Sequence, residues 1–344
     1  MERLAHIDAL RGGAALLLLF HSLLLPLADG WALQSVLDPE LLAMLWFVLC
    51  CGFIVPASLH TSADGGRGFV IRRLLRLLPM YLLAVLLTAT LLPTTTPWLP
   101  GVTTPASAPA FEIIGAYGVL PPILLFYGLC LLLHLLGLLH SVSLRTSCAV
   151  VLLALALLFA LARQLLDTEL PVTLPLALSL MFFASLRYET KQESSSYARR
   201  RAREYARYTL RIYLLVLPVI FLAGWSADAG AWPGDLVTYG LAIATFLLVT
   251  SRLPLRAPPL VWLGSLSYSL YLLLPAMQRL SELLPQALGL TGPTASLAGA
   301  VFGLLLALGS AQLCRQFLDL PMAHAGRRLT RQHDLMPLAR LHSR

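Results

Sequence analysis

Apolar residues run along this chain in stretches of about 18 to 25, the length an α-helix needs to cross a bilayer's hydrocarbon core, with short polar segments between them. About ten such segments can be marked, at approximately 10–28, 41–60, 74–93, 118–138, 147–165, 172–187, 208–225, 236–252, 259–278 and 295–317. They predict an all-α, polytopic integral membrane protein with about ten transmembrane helices. The fourth segment carries Pro121, Pro122 and His134, and the sixth is short with polar edges. No small-residue cleavage site follows the first segment and the later ones share its character, so it reads as a span and not as a cleavable signal.

The arginines orient these spans. Arg67, Arg72 and Arg73 lie between segments two and three; Arg187, Lys191, Arg199, Arg200, Arg201, Arg203 and Arg207 lie between six and seven; Arg327, Arg328, Arg331, Arg340 and Arg344 follow segment ten. The alternate loops carry Asp29, Asp38 and Glu40, a Pro/Thr-rich stretch at 93–110, Asp167 and Glu169, then Asp228 and Asp235. The positive-inside rule therefore predicts both termini in the cytoplasm, with only Arg163 and Arg279 near the opposite side. The expected organisation is one transmembrane domain, 1–325, and a basic cytoplasmic tail, 326–344.

Composition agrees: 58% of residues are hydrophobic and 12% charged, and no soluble domain is hidden between the spans. The net charge of +8 is a topology signal and an attraction for anionic headgroups, not a nucleic-acid footprint, because the arginines occupy short loops. The run SSSYARRRAREYAR at 194–207 is expected to be a solvated loop that enforces topology; an interfacial helix with arginine on its polar side is the alternative. Cys50, Cys51, Cys130, Cys148 and Cys314 all fall in apolar segments and show no metal spacing, so no metal and no disulfide framework is expected.

Five places hold polar groups that lipid-facing sequence would not keep. In HIDALRGGAALLLLFH, Asp8 and Arg11 share a helix face and can pair. His21 is expected ~15 Å beyond Arg11, near the middle of a core about 30 Å thick, where a titratable group is costly and marks a polar cavity or reaction centre. In RRLLRLLPMY, Arg72, Arg73 and Arg76 crowd the cytoplasmic opening of segment three, and guanidinium forks suit phosphate oxygens. Segment two is interrupted by Cys51, Gly52 and Pro56, with helix packing the commoner use of such a glycine. Glu112 and Tyr117 precede Pro121 at the non-cytoplasmic start of segment four. LGSLSYSLYLLLP at 263–275 is dense in hydroxyls, Ser265, Ser267, Tyr268, Ser269 and Tyr271, about half of them expected to bond their own backbone; Arg315 and Asp319-Leu320-Pro321 follow later.

These motifs resemble, in order and spacing, those of the acyltransferase-3 family of integral-membrane O-acyltransferases. DALRGGAALLLLFH is similar to the family's opening DGLRGIAALLVVLFH-like element, FVLCCGFIV to FFVLSGFLI, RRLLRLLPMY to RRxxRIxPxY, LGSLSYSLYLLLP to LGxISYSLYLxHxP, and FLDLP to its closing IExP. The chain also departs from the pattern. Nine residues separate Arg11 from His21 where the family has ten, which turns the histidine by about 100° unless the helix adjusts. Cys51 replaces a serine, Leu274 stands nearest the usual histidine, Asp319 replaces a glutamate, and Glu112, Tyr117 and Pro121 only loosely echo ExxFYxxxP.

The resemblance implies transfer of an acyl group, most often acetyl, from acyl-coenzyme A (acyl-CoA) to a hydroxyl of a cell-envelope glycan, lipid-linked sugar or lipid in the bacterial inner membrane. His21 would be the general base. Arg11 and Asp8 would shape the entrance, and Glu112 would belong to the catalytic set. Arg72, Arg73, Arg76 and Tyr271 would hold the donor. Membrane lipid is an expected partner, a homo-oligomer is left open, and Cys51 is a secondary candidate for carrying the acyl group, against which its apolar setting argues. The alternatives are a transporter or lipid-binding membrane protein, for which no internal repeat is visible, and an acyltransferase-like protein with weakened chemistry.

Overall fold

The computed structural model describes residues 5–27, 36–60, 66–91, 120–166, 170–192, 196–224, 232–253, 255–289 and 292–329. Ten α-helices are found among them, one at each apolar segment: α1 Ala5–Leu19, α2 Pro39–His60, α3 Arg67–Leu91, α4 Leu120–Leu135, α5 Val142–Leu166, α6 Thr173–Gln192, α7 Ser196–Gly224, α8 Trp232–Ser251, α9 Pro258–Ala287 and α10 Pro293–Cys314. No strand occurs among the described residues. Seven of the helices are long and apolar enough to cross a membrane, including α1 with its continuation to Leu27 and α10 with its continuation to Leu329. The three outside that set have visible reasons. The α4 helix has only 16 residues, α3 contains Arg67, Arg72, Arg73 and Arg76, and α6 ends in RYETKQ.

The arginine run expected to be a loop is helical from Ser196 onward and continuous with the apolar part of α7. Nothing in SYARRRAREYAR breaks a helix, since it has neither proline nor glycine and alanine recurs at 198, 202 and 206. Helix-capable residues next to an apolar span simply extend it.

Contacts divide the chain into two compact units, Met1–Pro56 with Leu99–Ser267, and Ala57–Trp98 with Tyr268–Arg344. In the first, α5, α6 and α7 pack against one another and α4 packs on α6. Ala202, Ala206, Thr209, Tyr213 and Leu217 form the buried stripe of α7 at helical spacing. Tyr213 shares a hydrogen bond with Ser179 of α6, whose hydroxyl also lies 2.6 Å from the Ala149 carbonyl of α5. That places a three-helix polar node inside an apolar core. Gly52 of α2 serves packing, as expected, for a Cβ there would lie 2.4 Å from the Met181 carbonyl oxygen.

The same unit seals a charge. Arg145 near the start of α5 is wholly buried; its Nη2 donates to Glu189 Oε1 of α6 at 2.8 Å and its Nη1 to the Ser185 carbonyl at 3.4 Å. In the second unit α10 approaches α9 closely, because a Cβ on Gly299 would lie 2.8 Å from the Ser281 carbonyl oxygen.

Candidate functional site

In the first unit, Arg11 Nη1 lies 4.0 Å from Asp8 Oδ1, one turn back on α1. Beside them the backbones of two helices touch. A Cβ on Gly12 would stand 1.9 Å from the Leu260 carbonyl oxygen, and one on Gly264 would stand 1.9 Å from the Asp8 carbonyl oxygen. Small residues at such a crossing let helices meet without side chains between them. The first and the last-but-one sequence motifs are thereby joined through Gly12 and Gly264.

His21 sits where α1 changes character. Phe20–Leu24 form a π-helical turn in which the Leu25 N–H bonds the Phe20 carbonyl five residues back, and a 3₁₀ turn, Leu25–Leu27, follows. Pro26 accounts for part of this, since it has no N–H for the Ser22 carbonyl and its ring presses on that turn. A second π-helical turn, Arg315–Asp319, has the same form: the Leu320 N–H bonds the Arg315 carbonyl, and Pro321 comes next. Leu-Pro pairs at 217–218, 274–275 and 284–285 lie inside α-helices without a π turn, so proline alone does not set the form. Both π turns also contain an ionisable side chain with a partner on another helix. Such turns are frequent at functional sites.

The partner of His21 is Glu40. Nε2 lies 3.1 Å from Glu40 Oε2, and the two side chains are 28% and 36% exposed. With Nε2–H donating to the carboxylate, neutral imidazole keeps its lone pair on Nδ1. That atom is buried and has no hydrogen-bond partner among the described residues. Glu40 occupies the first turn of α2, where the Asp38 carboxylate accepts from the N–H groups of Glu40 at 2.8 Å and Leu41 at 3.2 Å. The contact sets His21 beside the first turn of α2.

In the second unit, Arg72, Arg73 and Arg76 are half-buried along α3. Arg73 donates to Ser58 Oγ at 3.4 Å and lies over the Phe69 ring, 5.4 Å from its centroid. A Cβ on Gly326 would lie 3.5 Å from Arg72, so the chain passes close to that arginine. Tyr271 is buried. Its neighbours tie the motifs together: Tyr268 Oη donates to the Leu77 carbonyl of α3 at 3.0 Å, and Ser269 Oγ donates to Asp319 Oδ2 at 3.3 Å. Ser265 and Ser267 bond carbonyls of their own helix, at Trp262 and Gly264. The hydroxyls thus divide between local and cross-helix bonds, as the sequence suggested.

Glu112 and Tyr117 lie outside the described residues. Cys51 is half-buried, beside the fully buried Cys50. Sequence reasoning missed Glu40 as the partner of His21, although Asp38-Pro39-Glu40 carries a helix-start signal, an N-cap aspartate followed by proline at the first helical position. It also missed the Arg145–Glu189 pair, for which residues 44 apart offer no local signal.

Compared with family models, with curated proteins and with solved structures, the chain gives no match in any of the three.

Proposed function

We propose that this chain is a membrane-embedded O-acyltransferase that moves an acyl group, of the acetyl class, from acyl-CoA to a hydroxyl of an envelope glycan, lipid-linked sugar or lipid. The observation that carries the reading is His21: an imidazole in a π-helical turn, held through Nε2 by Glu40, with Nδ1 buried and unpartnered. A general base needs a lone pair not already committed to a hydrogen bond and a group that fixes its tautomer, the arrangement found at activated nucleophiles.

In the proposed reaction Nδ1 of His21 takes the proton of the acceptor hydroxyl as its oxygen bonds to the thioester carbonyl carbon. The C–S bond then breaks, and the leaving thiolate takes that proton from the imidazolium, giving the free thiol and restoring neutral His21. Glu40 steadies the imidazolium formed in the first step. Arg72, Arg73 and Arg76 supply guanidinium groups for the donor's phosphates, a task their fork geometry suits, and Asp8 with Arg11 frames the acceptor's approach. The proposal includes about ten crossings with both termini in the cytoplasm, on the positive-inside rule, and a place in the bacterial inner membrane. The five ordered motifs support it alongside His21.

The test is incorporation of labelled acetyl from acetyl-CoA into envelope glycan or lipid by cells carrying the wild type or His21→Ala. Label in the wild type and its loss in the variant is the expected result. Equal labelling would remove His21 from the mechanism, and no labelling in either would overturn the enzyme reading in favour of transport or an inactive relative.

A further inference from the structure

The arginine-rich extension of α7 is left unused by the acyl-transfer reading, and it has a shape as well as a charge. Ser196, Arg199, Arg200, Arg203, Glu204 and Arg207 line a cavity of about 480 Å³. One guanidinium is partly offset, since Arg200 Nε lies 3.2 Å from Glu204 Oε1 in an exposed pair. Arg203 and Arg207 instead face a third cation. The half-buried Arg187, at the end of α6, feels the charges of both, and its Nε is buried without a hydrogen-bond partner among the described residues. Among the described residues Arg187, Arg203 and Arg207 have no carboxylate partner, so the groove and its surroundings are a concentration of positive charge that an anion would relieve. The guanidinium groups lining the groove suit the several oxygens of a phosphate better than a single negative side chain.

The position along α7 indicates whose phosphate. On its exposed side, Arg200, Arg203, Arg207 and Arg211 give way to Leu214, Leu215, Val219 and Leu222. Exposed leucines on a helix apolar enough to cross a membrane are the lipid-facing part. From Arg207 to Leu214 the helix rises about 10 Å, whereas the headgroup layer is about 5 to 8 Å deep on each side of the hydrocarbon. With Leu214 at the edge of the hydrocarbon, Arg211 falls within that layer and Arg207 just beyond it, close enough for its long side chain to reach back to the phosphates. The opposite side of α7, with Ala202 and Ala206, is buried against α5 and α6, which holds the arginines in place.

We infer that this groove binds the phosphate of an anionic phospholipid headgroup, with Arg203 and Arg207 as its principal contacts and Arg187 adding positive charge nearby. The inference goes beyond the acyl-transfer reading and does not depend on it. A soluble phosphorylated molecule offers the same chemistry, and the experiment separates the two sources.

Purified full-length protein in neutral detergent is melted with added phosphatidylglycerol, with phosphatidylcholine, or with adenosine 3′,5′-bisphosphate. The wild type is compared with Arg203→Gln/Arg207→Gln and with Arg252→Gln/Arg256→Gln, which removes the same two charges from exposed positions between α8 and α9. Phosphatidylglycerol is expected to raise the melting midpoint of the wild type and of the control more than phosphatidylcholine does. That excess should fall by roughly half or more in Arg203→Gln/Arg207→Gln, since each arginine near an anionic surface adds to the attraction. Equal shifts for the two lipids in the wild type would overturn the inference, as would an undiminished shift in the variant. A shift that depends on Arg203 and Arg207 with the bisphosphate but not with the lipid would overturn it too, by assigning the groove to a soluble ligand. If the double variant does not fold, Arg207→Gln alone is measured against the same criteria.

Discussion

Gly12 and Gly264 face each other where α1 crosses α9, so closely that a methyl group on either would penetrate the other helix's backbone, 1.9 Å from a carbonyl oxygen. Overfilling a well-packed contact costs about 1 to 3 kcal/mol even when side chains can move. Here the obstacle is backbone. Gly12→Ala and Gly264→Ala are each expected to destabilise by about 3 kcal/mol or more, read as a lower melting midpoint and lower yield of folded protein in detergent. Gly240→Ala is the contrasting case. Nothing lies within 4 Å of a Cβ there, and it should be neutral or stabilising by up to about 1 kcal/mol.

Glu40 orients His21, so the two act as a unit and their effects should not add. His21→Ala is expected to lower acetyl transfer by about 10²- to 10⁴-fold, the usual contribution of a general base. Glu40→Gln should lower kcat by a smaller factor, and combining it with His21→Ala should add almost nothing. Full multiplicativity of the two in transfer kinetics would show that Glu40 acts elsewhere.

Cys51 stands where the resemblance expects serine. A covalent carrier could not survive its replacement, whereas a half-buried packing residue can. Cys51→Ser is therefore expected to leave acetyl labelling unchanged, and no thioester-linked label should be recovered on the protein after acid quenching.

The Arg145–Glu189 pair is buried, and breaking such a pair from one side leaves a charge without compensation. Arg145→Met and Glu189→Leu are each expected to cost about 3 to 5 kcal/mol, while the double substitution should recover most of that loss. Chemical denaturation of the four proteins in detergent would measure the coupling. A double variant as unstable as the sum of the singles would contradict it.

The positions of the helices were legible because each apolar run is long, and apolarity is a local property of sequence. The end of each helix was less so. At 194–207 the charges suggested a loop, yet from Ser196 onward backbone propensity keeps the chain helical. His21 was legible as an anomaly, but its partner was not, since Glu40 lies 19 residues away on the next helix. The π turns at 20–24 and 315–319 lie before proline, a cue that the other helix prolines show to be insufficient without cross-helix partners.

Arg145 also constrains the order in which the protein is made. It emerges from the ribosome before Glu189, the carboxylate that neutralises it in the interior. Until α6 has been synthesised, the start of α5 must keep its guanidinium hydrated. The α5–α6 hairpin can therefore lock only when its second arm is complete, as a single late event rather than helix by helix.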